Sequence, residues 1–413
     1  MKYDRFVDLV VIGGGPAGLS AAISAKENGI DNILLLEREP CLGGILNQCI
    51  HDGFGLHLFK ENLTGPEYAQ KQIDELKALN ISYLTDAMVI NLTKSKELEF
   101  IHRTGHKLIK AKAVILAMGC RERTRFNIQI SGTRPAGIYT AGTAQNLVNL
   151  QNLKIGNDDI VILGSGDIGL IMARRLTLEG MNIVGVYEIM PYPAGLERNI
   201  QQCLNDYNIP LFLSSTVTEI FGKERIEGVN IGKVDKDLKP IANTEKFVKC
   251  DTLLLSVGLI PENELSKKAG VKISDLTGGA VVNSELQTNI EGIFSCGNVL
   301  QIHDLADYAS SEAKRAGYFA ARYIKSKQKR YNRYKINFCE KIKYALPSYI
   351  VENKEPIIVS FRIKKPAKNV VLIIKDRENN ILVKKKFIRL LPSELIQIKL
   401  ETEIKSDIYL EIE

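Results

Sequence analysis

No two cysteines of this chain are spaced C-x-x-C; its seven stand singly at 41, 49, 120, 203, 250, 296 and 339. Structural zinc and iron–sulfur sites need clustered thiolates, so neither has support here and no metal ligand set is expected. An odd, scattered set also fits a reducing cytosol better than a disulfide framework. Long apolar runs are missing too: none approaches the roughly 18 residues that a membrane helix needs. The opening MKYDRF passes directly into the strand-like VDLVVIGGG. No leader precedes it, so a cytoplasmic protein without an integral membrane segment is expected. Acidic residues are absent from KSKQKRYNRYK, 325–335. That stretch reads as a solvated basic linker, with attraction of an anionic partner as the other reading. A net charge of +7 over 413 residues is modest, and no nucleic-acid partner is expected.

What is present is a globular composition, 45% hydrophobic and 25% charged. A chain of this length exceeds one ordinary core, so two or three domains are expected. The first strong motif is the strand-like DLVVIG running into Gly13-Gly14-Gly15-Pro16-Ala17-Gly18, a helical LSAAISAKENG and a second strand, NILLLE, ending at Glu37. In such a βαβ unit Gly13 permits the tight turn and Gly15 lets the backbone approach a pyrophosphate. Gly18 allows the helix to pack close to the strand. The helix N-terminus, with Pro16 and Ala17, favours an anion. Glu37, nineteen positions past Gly18, would accept the hydroxyl hydrogens of an adenosine ribose.

The device recurs. DIVILG leads into Gly164-Ser165-Gly166-Asp167-Ile168-Gly169, and Glu188 again stands nineteen positions past the last glycine. One such turn is weak evidence. Two, each between strand and helix and each with its acid in register, predict two dinucleotide sites: a tightly held flavin and an exchangeable nicotinamide.

At this point the chain resembles the FAD-dependent pyridine nucleotide-disulfide oxidoreductases over roughly residues 7–325. The family's strand ending ATG is matched by AVILAMG, 113–119, with Met118 in the threonine position and Gly119 closing it. A second crossing is matched by CDTLLLSVGLIPENEL, 250–265, with Gly258. The closing flavin motif appears as TNIEGIFSCGN, 288–298, where Gly297 is followed by Asn298 in place of the family's ribitol-holding aspartate. The resemblance implies an α/β fold of two Rossmann-like domains, the NAD domain inserted in the FAD domain. Its boundaries are 1–120 with 270–330 for FAD and 121–269 for NAD(H). FAD then belongs to the first turn, with Gly43 and Gly44 beside it. NAD(H) belongs to the second, through Gly164, Gly166, Asp167, Gly169 and Glu188. No cation follows Glu188 until Arg198, and a carboxylate would repel a 2′-phosphate, so NADH is preferred over NADPH.

The family's thiol mechanisms place sulfur at defined positions. Here these fall on Leu46, His51, Ala141 and Ala144, so no disulfide reductase is expected. The tail lacks the histidine of the family's proton relay, since the five histidines are 51, 57, 102, 106 and 303. Cys49 and His51 remain as candidate catalytic residues beside the flavin, each with a plain structural alternative. The stretch 301–317 should form a helix whose N-terminus faces the flavin, with His303 as a contact and Asp307 a weaker one. The combined motifs resemble more narrowly the flavoproteins that accompany bacterial anaerobic glycerol-3-phosphate dehydrogenases and their amine and opine relatives. That implies a partner dehydrogenase or iron–sulfur subunit on another chain, and an oligomer is possible. A free-standing NADH oxidase or diaphorase and a non-catalytic flavin redox sensor stay open. Past the linker, residues 336–413 alternate in short branched runs between Pro, Asn and Asp turns, which predicts a small all-β sandwich-like domain.

Overall fold

In the computed structural model the described residues are 3–156, 159–326, 332–352 and 355–413; the middle of the basic linker falls outside them. The chain divides into two compact units, Met1–Cys120 with Pro261–Glu413, and Arg121–Ile260.

In the first unit, strands β1 (Arg5–Ile12) and β2 (Ile33–Leu36) are near-continuous aliphatic runs, as strands covered on both faces require, and the last four residues of each are buried. They pair in parallel, Leu9 opposite Ile33 through Ile12 opposite Leu36. Helix α1 (Pro16–Glu27) joins them and opens on Pro16, where a missing N–H costs nothing. Residues 17–25 of α1 are all buried and mostly small. Their size lets the long helix Ala306–Lys325 come close: a Cβ on Gly317 would lie 2.2 Å from the Ala21 carbonyl oxygen. The sheet runs in the order β3 (Ser82–Leu84), β2, β1, β6 (Gly105–Leu116), β5 (Glu97–His102), β4 (Met88–Leu92). Strand Ile293–Ser295 pairs in parallel with the end of β6, so three strand ends (Ile12, Leu116, Ser295) lie side by side. Helix α2 (Gly65–Ala78) begins with a reciprocal cap between Thr64 and Glu67.

The second unit has a five-stranded parallel sheet, in the order Leu211–Phe212, Asn182–Tyr187, Asp159–Leu163, Thr252–Leu255, Ile138–Thr140. A four-stranded sheet built around the antiparallel pair Ser215–Gly222 and Ile226–Lys233 accompanies it. Helix Asp167–Leu178 follows the second glycine turn.

From Arg333 onward every regular element among the described residues is a strand. Five strands form one sheet and three form another. Both contribute to one core, with Val359, Phe361 and Ile398 from the smaller sheet and Leu372, Ile374 and Leu410 from the larger. Among the short branched runs of 336–413, the segments 356–366, 369–376, 380–388, 394–401 and 407–413 each carry a strand. Three further strands, Arg333–Phe338, Ile342–Leu346 and Tyr349–Val351, come from mixed-polarity sequence. These strands fall in the same compact unit as the first glycine turn. The reason is apolar: Tyr344, Leu346 and Leu395 enter the core built by β1, β2 and β6.

Candidate functional site

The first glycine turn follows from the crowding at the end of β1. Gly13 has φ +105°, and a Cβ there would lie 2.4 Å from the Ala117 carbonyl oxygen. At Gly18 a Cβ would meet the Gly13 oxygen at 1.8 Å, so α1 lies against the turn. Gly15 is open: among the described residues beyond its chain neighbours, the one heavy atom within 4 Å of its Cβ position is Cα of Gly44, 3.9 Å away. That opening is where a backbone must approach a pyrophosphate, at the positive end of a helix. Glu37 is buried; its Oε2 accepts from Gly14 N–H at 2.5 Å and its Oε1 from Glu39 N–H at 2.8 Å.

Other expected residues gather around this turn. Gly43 N–H donates to the Gly14 carbonyl at 2.9 Å, which brings Gly43 and Gly44 beside Gly15. A Cβ on Gly297 would lie 2.6 Å from the Cβ of Ala17, so the closing motif abuts the start of α1. Asn298 Oδ1 accepts from His303 N–H at 3.0 Å, and its Nδ2 donates to Cys120 Sγ at 3.7 Å. Gly119, with φ +72°, has no atom within 4 Å of its Cβ position. The long helix starts at Ala306 rather than at 301, because residues 301–305 are held in a loop by side chains.

That loop is held by buried charge. Glu312 Oε1 accepts from Gly297 N–H at 2.8 Å and its Oε2 from Gln301 Nε2 at 2.7 Å. His303 Nε2 lies 3.5 Å from the same Oε2, and its Nδ1 donates to the Gln301 carbonyl at 2.9 Å. Burial pushes the Glu312 carboxyl up, but His303 and the hydrogen bonds from Gln301 and Gly297 outweigh it and hold the group below the usual carboxylate range. Asp307 is buried in the first turn of the long helix; its Oδ2 accepts from His57 N–H at 3.2 Å, while Oδ1 has no hydrogen-bond partner. Sequence reasoning missed Glu312; the one available signal is an acid amid the small residues of ASSEAKRAG.

Cys41 and Cys49 are both free thiols. Cys49 Sγ donates to the Ile45 carbonyl at 3.3 Å, and burial pushes its thiol up to about 12. A thiol so raised is not a nucleophile near neutrality. Cys41 is exposed and accepts from Asn47 Nδ2 at 3.4 Å. Leu46 packs with Leu63, Tyr68 and Ala69. His51 bonds locally, Nδ1 to the Asp52 carbonyl at 2.9 Å, and its ring lies tilted against Phe54 with centroids 5.0 Å apart.

In the second unit the other turn repeats the first. Gly164 has φ +93°, with the Ser256 oxygen 2.2 Å from a Cβ. Glu188 Oε2 accepts from Ser165 N–H at 2.9 Å, and its Oε1 from Met190 N–H at 2.9 Å. The two acids are therefore held alike: each bonds the second residue of its turn and the N–H two residues beyond itself. Ser165 Oγ adds a further bond to Glu188, 2.6 Å, and accepts from Ala194 N–H at 2.8 Å. Asp167 Oδ1 accepts from Leu196 N–H and Asn199 Nδ2, at 2.8 and 2.7 Å, so it braces the segment 196–199. Ser256 Oγ accepts from Gly169 N–H at 3.1 Å. Gly258 has φ +103° and room beside it. Ala141 and Ala144 are buried in helix Ala141–Asn149.

Two glycine turns of this kind, each on a parallel sheet with its buried acid, define a two-dinucleotide flavoprotein. Residues 7–313 match the pyridine nucleotide-disulphide oxidoreductases, and the chain belongs to that family. It is an FAD- and NAD(P)H-dependent oxidoreductase. Among its relatives is a thioredoxin reductase of Ureaplasma parvum, 26% identical over 322 residues, covering 77% of this chain and 96% of that one. A 34.2 kDa protein in the rubredoxin operon of Clostridium pasteurianum is 28% identical over 331 residues, covering 79% and 100%. The fold is that of the crystal structure of T. acidophilum thioredoxin reductase, TM-score 0.62 at 23% identity, covering 77% and 99%. The residues fit the flavin: Gly15 leaves room for a pyrophosphate, and the partnerless Oδ1 of Asp307 is a buried acceptor for an N–H. Among the described residues no helix is long and apolar enough to cross a membrane.

Proposed function

We propose that this chain is an NADH-linked electron-transfer flavoprotein that works without a redox-active disulfide and exchanges electrons with a partner dehydrogenase of the glycerol-3-phosphate or amine/opine type. The observation that carries the first half is the chemistry at the family's sulfur positions. Leu46, Ala141 and Ala144 are aliphatic and buried, and His51 is turned to its own neighbour. When bound, the flavin supplies two-electron exchange with nicotinamide.

The chain's residues bind and orient. Gly13, Gly15 and Gly18, with the N–H groups of Pro16's helix, take the FAD pyrophosphate; Glu37 takes the ribose. Gly43, Gly44, Gly119, Gly297 and Asn298 line the remainder. Asn298 offers an amide where a carboxylate stands in the family, so it holds a hydroxyl without adding charge. Gly164, Gly166 and Gly169 take the NADH pyrophosphate and Glu188 its ribose, with Asp167 bracing the segment behind it. Cys49 and His51 line the site rather than react. The all-β segment 336–413 serves as a small domain of its own fold, attached to the flavin unit.

The narrower motif resemblance supports the partner, and the lack of a clustered-cysteine motif means that any iron–sulfur centre sits on that partner. The test is purification from the native cell under anaerobic conditions, followed by turnover with NADH. Dye reduction without oxygen consumption, and a co-purifying dehydrogenase chain, are the expected results. Rapid oxygen consumption by the isolated chain would replace this reading with a free-standing NADH oxidase.

A further inference from the structure

The C-terminal strands reach the loop that carries Asn298 and His303, and they do so through one buried arginine. Arg362, on strand Ile357–Ile363, is only 9% exposed. Its Nη2 donates to the Ile302 carbonyl at 3.0 Å and to Asp304 Oδ1. Its Nη1 donates to the Ser393 and Pro392 carbonyls, and its Nε to Tyr344 Oη at 3.3 Å. Asp304 answers from the other side, its Oδ2 accepting from Leu395 N–H at 2.6 Å. The guanidinium fork thus spans two C-terminal segments and the loop 302–304, a geometry that lysine cannot reproduce with its single ammonium.

The loop so gripped leads directly to the flavin motif. His303, between the two tethered residues, donates its N–H to Asn298 Oδ1. From the inside, Glu312 holds Gly297 and Gln301. Residues 297–304 are therefore clamped between a carboxylate of the long helix and an arginine of the C-terminal strands. Lining one side of a cofactor with a clamp of fixed hydrogen bonds is how a protein holds a site to within a few tenths of an ångström.

We propose that Arg362 is a positioning residue for the flavin: the C-terminal strands hold the loop 302–304, and through it Asn298, in the geometry that retains FAD and sets its potential. The inference rests on the reading of Asn298 as a flavin contact. It gives the C-terminal strands a duty within their own chain, independent of any partner.

The experiment compares full-length wild type with Arg362→Met, Arg362→Lys, Asp304→Asn and Asn298→Ala. The readouts are FAD dissociation constant, the visible spectrum of bound flavin and its midpoint potential, all well below the melting temperature. Arg362→Met should weaken FAD binding at least tenfold. It should also lower the potential by about 30 mV, the equivalent of tenfold in a two-electron equilibrium, because the half-buried Asp304 carboxylate loses its cationic partner. Arg362→Lys should recover the potential but only part of the affinity. If Arg362→Met does not fold, Asp304→Asn carries the test: at least a threefold loss of affinity with an altered spectrum supports the clamp, and an unchanged flavin overturns it. A lower melting temperature in Arg362→Met with wild-type affinity, spectrum and potential makes the arginine merely structural and overturns the proposal. Asn298→Ala separates the two layers. Weakened binding there with none in Arg362→Met refutes the clamp alone; no effect in either refutes the flavin assignment of the loop.

Discussion

At the level of single residues, the two buried acids do most to define this protein. Glu188 is held by Ser165 N–H, Ser165 Oγ and Met190 N–H, so under the proposed assignment its carboxylate stays fixed where a 2′-phosphate would meet it. Glu188→Ala should therefore raise the rate of flavin bleaching by NADPH relative to NADH about tenfold, some 1.4 kcal/mol in barrier, measured by anaerobic stopped flow. A wild-type preference for NADPH would refute the assignment. Cys41→Ser and Cys49→Ser should each leave NADH-to-flavin transfer within about threefold of wild type, or 0.7 kcal/mol. With the Cys49 thiol pushed up to about 12, there is no thiolate near neutrality to lose. The acids were legible in the sequence because their spacing from the turn is local. Glu312 and Arg362 were not: Arg362 meets Asp304 58 positions away, and Glu312 meets Gly297 and Gln301 only because the folded chain turns 301–305 into a loop. No local pattern marks such a pair.

Among the elements, the contact between α1 and the long helix is a tight constraint. Because a Cβ on Gly317 would meet the Ala21 carbonyl at 2.2 Å, Gly317→Ala should destabilise the first unit by about 1–3 kcal/mol, the usual range for overpacking. Thermal melting with and without added FAD reads this directly, and an unchanged melting temperature would mean that the helices separate easily. The long helix also carries Glu312, whose folded carboxyl lies below its ordinary value. Its contribution to stability is complete above the unfolded value of about 4.3 and is lost as pH falls through the lowered folded value. Glu312→Gln should accordingly flatten the acid limb of the stability curve below about pH 4.3, measured by denaturant unfolding across that range. The two βαβ units were readable from periodicity and glycine placement. The start of the long helix was not, since residues 301–305 are drawn into hydrogen bonds with Asn298, Glu312 and Arg362 that only the folded chain supplies. Strand Arg333–Phe338 was not readable, although RYKINF alternates cleanly, because its first three residues belong to the basic stretch 325–335 that reads as a linker.

For the whole molecule, the electron count is the sharpest expectation. An anaerobic dithionite titration should consume two electrons per flavin, with no thiolate-to-flavin charge-transfer band midway. Four electrons, falling to two in Cys49→Ser, would establish a working disulfide and refute the proposed mechanism. Domain insertion was visible in the order of the motifs, because the closing flavin signature returns after the second glycine turn. How the C-terminal strands join the first unit was not visible, since that union depends on Tyr344, Leu346 and Leu395 completing another segment's core.

The near-identity of the two acid cradles has one more consequence. Glu37 and Glu188 are held by matching backbone N–H bonds, with the Ser165 hydroxyl added only at Glu188. On the proposed assignment of each to an adenosine ribose, the adenosine end of a dinucleotide carries little information about which of the two berths it has entered. Sorting must happen at the opposite end of the ligand. Only the first unit furnishes the Gly43–Gly44 pair beside its turn and the clamped segment 297–304. On the same assignment those features act as the address label, and a bare adenine nucleotide, lacking the part they would read, is expected to be delivered to both doors alike.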